Sequence, residues 1–197
     1  MDGIPFHIGL ILDGNRRWAK DKGLPAAEGH LRGYDKMKQA GEWCFARGIK
    51  ILTVYAFSTE NWNRSAREVS YLMRLFKRMT DDLFKEAVQE GVRVVFIGER
   101  ERFDEAIQSG MRKVENATKD FKETTLGIAL SHGGRREIIS AIRSINPKEI
   151  SQVTEESFSK KLWTKDFPDP DIILRTSGEQ RLSNFLPWQS TYSELFF

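Results

Sequence analysis

A chain of 197 residues with 31 lysines and arginines against 28 acids has a net charge of only +3. That fits a single domain over residues 1–197 and is too slight an excess to argue for a nucleic-acid partner. The one cysteine, Cys44, excludes an internal disulfide and suits a reducing, cytoplasmic setting. The first apolar run lacks a basic stretch before it, so it does not read as a secretory signal, and no run is long enough to cross a bilayer.

In chain order, residues 8–12 form an apolar run that reads as a buried strand and stops at Asp13-Gly14-Asn15. Pro25 marks a helix start, and the helix runs to Arg47 with Gly48 as its stop. Residues 49–56 are the second strand. Ser65-Ala66-Arg67-Glu68 has the spacing of a capping box, and behind it Val69, Leu72, Phe76, Met79 and Leu83 recur at helical period as far as about Gly91. Residues 92–97 read as strand, 101–119 as helix, 126–130 as strand and 135–144 as helix. Residues 154–163 read as a short helix and 171–174 as the fifth strand, and a sixth strand begins near Glu194. This alternation predicts an α/β fold: a mainly parallel six-stranded sheet covered by helices on both faces.

Ligands of such sheets bind outside the carboxyl ends of the strands. The segments that follow four of the strands, residues 13–17, 57–64, 131–136 and 175–183, all carry arginine and small polar residues. Arginine forks grip oxygens and glycines admit backbone N–H groups, so this is the composition of a phosphate site. Asp13 and Glu194 are expected at or near the same edge, and carboxylates among phosphates point to Mg²⁺. No P-loop, GxGxxG, CxxC, HExxH or GxSxG pattern is present. Asp81-Asp82 is followed by Leu83-Phe84-Lys85, which is not the DDxxD element of all-helical prenyl synthases.

The stretches HIGLILDGNRRWAK, GHLRG, YAFSTENWNR, SHGGRREI and DIILRTSGEQRLSNFLPWQSTYSELFF, in this order over nearly the whole chain, resemble the cis-prenyltransferase family, whose bacterial type is undecaprenyl diphosphate synthase. The resemblance implies an Mg²⁺-dependent, usually homodimeric enzyme that joins isopentenyl diphosphate to an allylic diphosphate, here farnesyl diphosphate, in Z geometry. It makes Asp13 the central acid that holds Mg²⁺ on the diphosphates. Gly14, Asn15 and Arg17 would cradle the allylic diphosphate, supported by His30 and Arg64. Ser58, Asn61 and Trp62 resemble the loop that closes over the reacting ends and aids proton removal. Arg175, Arg181 and Ser183 resemble the isopentenyl diphosphate clamp, and Glu194 the second metal carboxylate, reaching a partner subunit's site. Trp18 joins the substrate-binding block, although an indole there more simply packs the helix start. Glu68 is sufficiently explained as a helix cap, and Arg135 and Arg136 as a helix start.

The chain departs from the family pattern in three places. Ala26 stands four residues before His30, where the family usually has arginine, with Arg16 and Lys22 as possible substitutes. Gln180 replaces a common histidine. The sequence stops at Phe197, where relatives continue into a basic C-terminal segment. The resemblance implies a polyprenyl product, undecaprenyl diphosphate for a glycan-carrier lipid, released at the membrane surface. Alternatives are a short-chain cis-prenyl diphosphate synthase and a non-catalytic partner subunit; the presence of Asp13, Asn61 and Arg175 argues against the latter.

Overall fold

The computed structural model describes residues 3–197. Six strands form one sheet: β1 (His7–Ile11), β2 (Ile51–Ser58), β3 (Val92–Ile97), β4 (Thr124–His132), β5 (Ile172–Arg175) and β6 (Glu194–Phe196). Their order is β3-β4-β2-β1-β5-β6, and every pair is parallel. The expected six-stranded parallel sheet is therefore present. β1 sits where the winding reverses, with β2 on one side and the late strand β5 on the other. The crevice beyond the carboxyl ends of β1 and β5 is the switch point at which such sheets bind ligands.

One face is covered by α2 (Ala26–Ala46), α3 (Ala66–Glu90) and α4 (Glu105–Thr118). Tyr34 and Met37 of α2, Leu72, Phe76, Met79 and Leu83 of α3, and Ile107 and Met111 of α4 close on Leu52, Val54, Phe96 and Ile128 of the sheet. The helical-period residues expected on α3 are thus core, except Val69. The other face carries α5 (Gly134–Arg143), α6 (Glu155–Ser159) and the segment that holds Phe185 and Leu186.

The differences from expectation have local causes. A seven-residue helix, α1 (Asn15–Asp21), begins directly after Gly14. It lies against α2 because Gly29 and Gly33 carry no side chain: a Cβ on either would collide with Asn15. The helix expected over 101–119 is a 3-10 turn at Arg100–Arg102 followed by α4, which restarts where Asp104 accepts a hydrogen bond from the Ile107 amide at 2.9 Å. The expected helix over 154–163 is helical only at Glu155–Ser159. β2 runs two residues further than expected because its register against β4 slips twice between Tyr55 and Ser58, which re-aims its carboxyl end.

His7 locks the amino end of β1. Its Nδ1 meets the Pro168 carbonyl at 2.7 Å, so this nitrogen carries the hydrogen and Nε2 accepts from Thr53 Oγ1 at 2.8 Å. Both contacts suit the neutral ring, and burial outweighs Pro168 and Asp171 in lowering its pKa from the ordinary value. A depressed histidine pKa contributes stability that is present above about pH 6.5 and lost as pH falls through the lowered value. The urea midpoint is therefore expected to drop between pH 7 and pH 5, and less so in His7→Gln. An equal drop in both proteins would show that His7 is not the source.

Candidate active site

The central feature is an ion pair across the switch point. Parallel pairing sets Ile11 opposite Arg175, so the side chain that ends β5 meets the residues just after β1. Arg175 is buried, 6% exposed, and its Nη2 donates to Asp13 Oδ2 at 2.7 Å. Its Nη1 donates to Ser183 Oγ at 2.7 Å and to the Arg181 carbonyl. Its Nε–H is buried with no partner among the described residues, an unused donor. Asp13 also accepts from the Gly14 amide at 2.6 Å. Burial raises the Asp13 pKa, but the bonds from Arg175 and Gly14 and the charges of Arg175 and Arg17 outweigh it, so the carboxylate stays ionised below its usual range. Gly14 is required here: φ is +94°, and a Cβ would stand 2.5 Å from Ser177 Oγ.

A cleft of about 840 Å³ opens over this pair. Asp13, Gly14, Asn15, Arg17, His30, Ser58, Asn61, Arg64, Arg175 and Ser183 all line it, so most of the expected site residues come together. Asn61 Oδ1 accepts from the Ser58 amide at 3.2 Å, which fixes the turn after β2. Arg17 donates to Glu179 at 2.8 Å and to Ser177 Oγ at 2.5 Å, and Arg181 bonds the other oxygen of Glu179 at 2.5 Å. One carboxylate thereby sets two expected phosphate-gripping arginines facing each other. Where the family usually has arginine, Ala26 lines the cleft, and Arg16 and Lys20 line it nearby. Of the two residues considered as substitutes, Arg16 lies at the cleft and Lys22 does not; Lys20 is the lysine there.

Three placements depart from expectation. Trp62 does not line the cleft: its ring packs on Phe57 and Phe103, and its Nε1 donates to Ser131 Oγ at 2.9 Å. Trp18 is 40% exposed and lines a neighbouring groove, because α1 turns it away from the helix start it was expected to pack. Glu194 pairs with Ile172 at the start of β5, so it lies at the amino edge, about 10 Å of strand before Arg175. Within one chain, then, the two carboxylates do not share an edge. His30 donates to Glu68 at 3.1 Å, and Arg64 reaches the same oxygen at 3.0 Å, with Arg16 at 3.8 Å.

Glu68 is therefore a site residue that the sequence reading set aside. Its amide is capped by Ser65, but its carboxylate organises three side chains of the cleft. The Arg64–Glu68 spacing of one helical turn was the available signal. Burial lowers the His30 pKa and outweighs the bond to Glu68, so the ring is mainly neutral at pH 7 and the cations here are Arg16 and Arg64.

Beneath the cleft, sharing Leu12, Asn15, His30, Tyr55, Ala56 and Leu72 with it, lies a mainly apolar pouch of about 70 Å³ floored by Met37, Phe76 and Met79. Charged rim and apolar pouch together define a class: a protein equipped for an anionic head that carries a hydrocarbon tail. The comparisons name it. The family model described as "Putative undecaprenyl diphosphate synthase" matches residues 11–197. An isoprenyl transferase of Thermotoga maritima is 48% identical over 98% of this chain and 85% of its own length. A tritrans,polycis-undecaprenyl-diphosphate synthase (geranylgeranyl-diphosphate specific) of Pyrococcus abyssi is 43% identical over 98% and 76%. The crystal structure of lavandulyl diphosphate synthase from Lavandula x intermedia with dimethylallyl diphosphate superposes with a TM-score of 0.94 at 35% identity, covering 98% of this chain and 86% of that one. The chain belongs to the undecaprenyl diphosphate synthase family of prenyltransferases.

The ion pair can be tested on stability. Arg175→Met leaves the part-buried Asp13 carboxylate with only Arg17, 3.6 Å away, and the Gly14 amide, which is expected to cost about 1–3 kcal/mol in urea unfolding. Adding Asp13→Asn should recover part of that loss. A double variant as unstable as the sum of the two singles would show that the residues are not coupled.

Proposed function

We propose that this protein is an Mg²⁺-dependent cis-prenyltransferase that condenses isopentenyl diphosphate with an allylic diphosphate, farnesyl diphosphate by preference, to a polyprenyl diphosphate, undecaprenyl diphosphate for a glycan-carrier lipid. The observation that carries the reading is the Asp13–Arg175 pair, set in an arginine rim directly above an apolar pouch. The enzyme works as a cytoplasmic homodimer and meets the membrane surface as it releases product; no helix among the described residues is long and apolar enough to cross a membrane.

The metal fits the residues present in a specific sense. No group of three or more His, Cys, Asp or Glu residues able to hold a metal ion occurs among the described residues, so the protein offers Asp13 rather than a cage. Mg²⁺ is commonly held in that way, by one or two carboxylates plus substrate phosphates and water. When bound, it neutralises charge on the departing diphosphate. Glu194 serves a metal only across a homodimer, given its place at the opposite edge.

The chain's own groups do the rest. Gly14, Asn15 and Arg17 hold the allylic diphosphate, with Arg64 set by Glu68 and His30. Arg175, Arg181 and Ser183 hold isopentenyl diphosphate. As the allylic C–O bond breaks, diphosphate leaves with the electron pair, and the isopentenyl double bond attacks the electron-poor carbon. Ser58 and Asn61 guide loss of the proton that restores a double bond. The apolar side chains under the cleft, Leu12, Leu72 and Met37 among them, keep water from the carbon centre, and fixed donors stabilise the anion without reorganising.

The test is turnover of labelled isopentenyl diphosphate with Mg²⁺ and dimethylallyl, geranyl, farnesyl or geranylgeranyl diphosphate, with the dephosphorylated products sized by chromatography. Long chains from farnesyl diphosphate are expected. Absence of product with every primer would sink the reading and move weight to a non-catalytic partner subunit. The small size of the pouch favours a second reading, a short-chain synthase, which C10 or C15 products would establish.

Asp13→Asn should lower kcat by about 10²–10³-fold, the usual loss for one preorganised electrostatic group; an unchanged kcat would remove Asp13 from the chemistry. Met37 lines both the pouch and a large groove further along α2 and α3, so it divides the two. Met37→Ala should shift the products to longer chains, and an unaltered length distribution would place the stop elsewhere.

A further inference from the structure

We propose that Asn184 is a positioning residue that ties the isopentenyl diphosphate clamp to the turn carrying Ser58 and Asn61; this rests on the roles assigned to those residues above. Asn184 follows Ser183 directly and touches two other segments of the edge. Its Oδ1 accepts from the Arg135 amide at 2.9 Å, and its own carbonyl accepts from the Gly134 amide at 2.8 Å. Its Nδ2 donates to Glu60 Oε1 at 3.1 Å. The amide orientation is fixed by chemistry: a backbone N–H only donates and a carboxylate only accepts.

The surroundings are built for this junction. Asn184 has φ +68°, a left-handed conformation that asparagine tolerates better than most residues. Its neighbour Ser183 is also left-handed, at +47°, so the clamp is held in a costly shape by its contacts. A Cβ on Gly133 would stand 2.8 Å from Asn184 Nδ2 and 2.5 Å from Thr59 Oγ1, and one on Gly134 would run into the Pro187 ring. The two glycines are what let the three segments meet. Tyr55 adds a second tie, its hydroxyl lying 3.1 Å from the His132 carbonyl and 3.3 Å from that of Ser183. The bond to Glu60 helps hold that carboxyl below its usual range, against burial, which raises it.

The decisive variants are Asn184→Asp, Asn184→Gly and each combined with Glu60→Gln. Asn184→Asp keeps the acceptor for Arg135 but sets a carboxylate against Glu60. Glu60→Gln then supplies a donor that restores the bond in reverse. Asn184→Gly keeps the left-handed backbone and offers nothing to restore. Asn184→Asp is expected to raise KM for isopentenyl diphosphate about tenfold, the loss of one hydrogen bond to a charged group. KM for the allylic diphosphate should stay near wild type. Glu60→Gln should reverse the effect when combined with Asn184→Asp and not when combined with Asn184→Gly. Equal rises in both KM values, or no reversal by Glu60→Gln, would overturn the proposal. If the unaltered enzyme turns over no primer, the functional reading fails and the junction is judged by hydrogen exchange. Faster exchange of residues 57–64 and 131–136 in Asn184→Asp, reversed by Glu60→Gln, supports it; unchanged exchange overturns it.

Discussion

The site depends on one buried guanidinium. Arg175 ends β5 beside the acid that follows β1, and its two terminal nitrogens fix Asp13 on one side and the Arg181 carbonyl and Ser183 hydroxyl on the other. A buried arginine is tolerable only with a partner, because an unpaired charge in low dielectric is strongly destabilising. Asp13 is that partner, and the pairing keeps it ionised where burial alone would raise its pKa. The same bond closes the crevice between the two strands whose order reverses. Fold stability and the charge state of the site therefore rest on the same contact.

Much of this was legible in the sequence. The six strands, their order along the chain and the four loops that share an edge follow from apolar runs, punctuation by glycine and proline, and the position of arginine. What stayed hidden depends on contacts between distant segments. Glu68 satisfies a local rule as a helix cap, and that rule was sufficient to explain it; only the packing of α2 against α3 brings His30 to its carboxylate. Glu194 lies in a strand, but which end of a strand faces the site is a matter of register, and parallel pairing from Ile172 puts it at the amino edge. Trp62 sits among the site's polar residues in sequence, yet its indole is drawn into the aromatic cluster with Phe57 and Phe103. Helix α1 was missed because seven residues with two arginines and no apolar period give no signal; glycines on α2 make room for it.

The rim's arginines are paired with carboxylates of the protein. Glu179 sits between Arg17 and Arg181, and Glu68 between Arg64 and Arg16. Two consequences follow. The guanidiniums are held in place by partners, so little ordering entropy remains to be lost when an anion arrives. An incoming anion must also compete with a carboxylate for each arginine, which favours a ligand that brings several charges and several oxygens at once. A diphosphate meets that requirement and a single carboxylate does not, because arginine forks gain most from paired oxygens. His30, mainly neutral at pH 7, orients Glu68 without adding a charge that would hold it more tightly. Below this rim the surface turns apolar within two helical turns, from His30 to Tyr34 and Met37 on α2. The charged rim and the apolar pouch thus meet at α2, with Met37 of that helix and Met79 of α3 on the pouch floor.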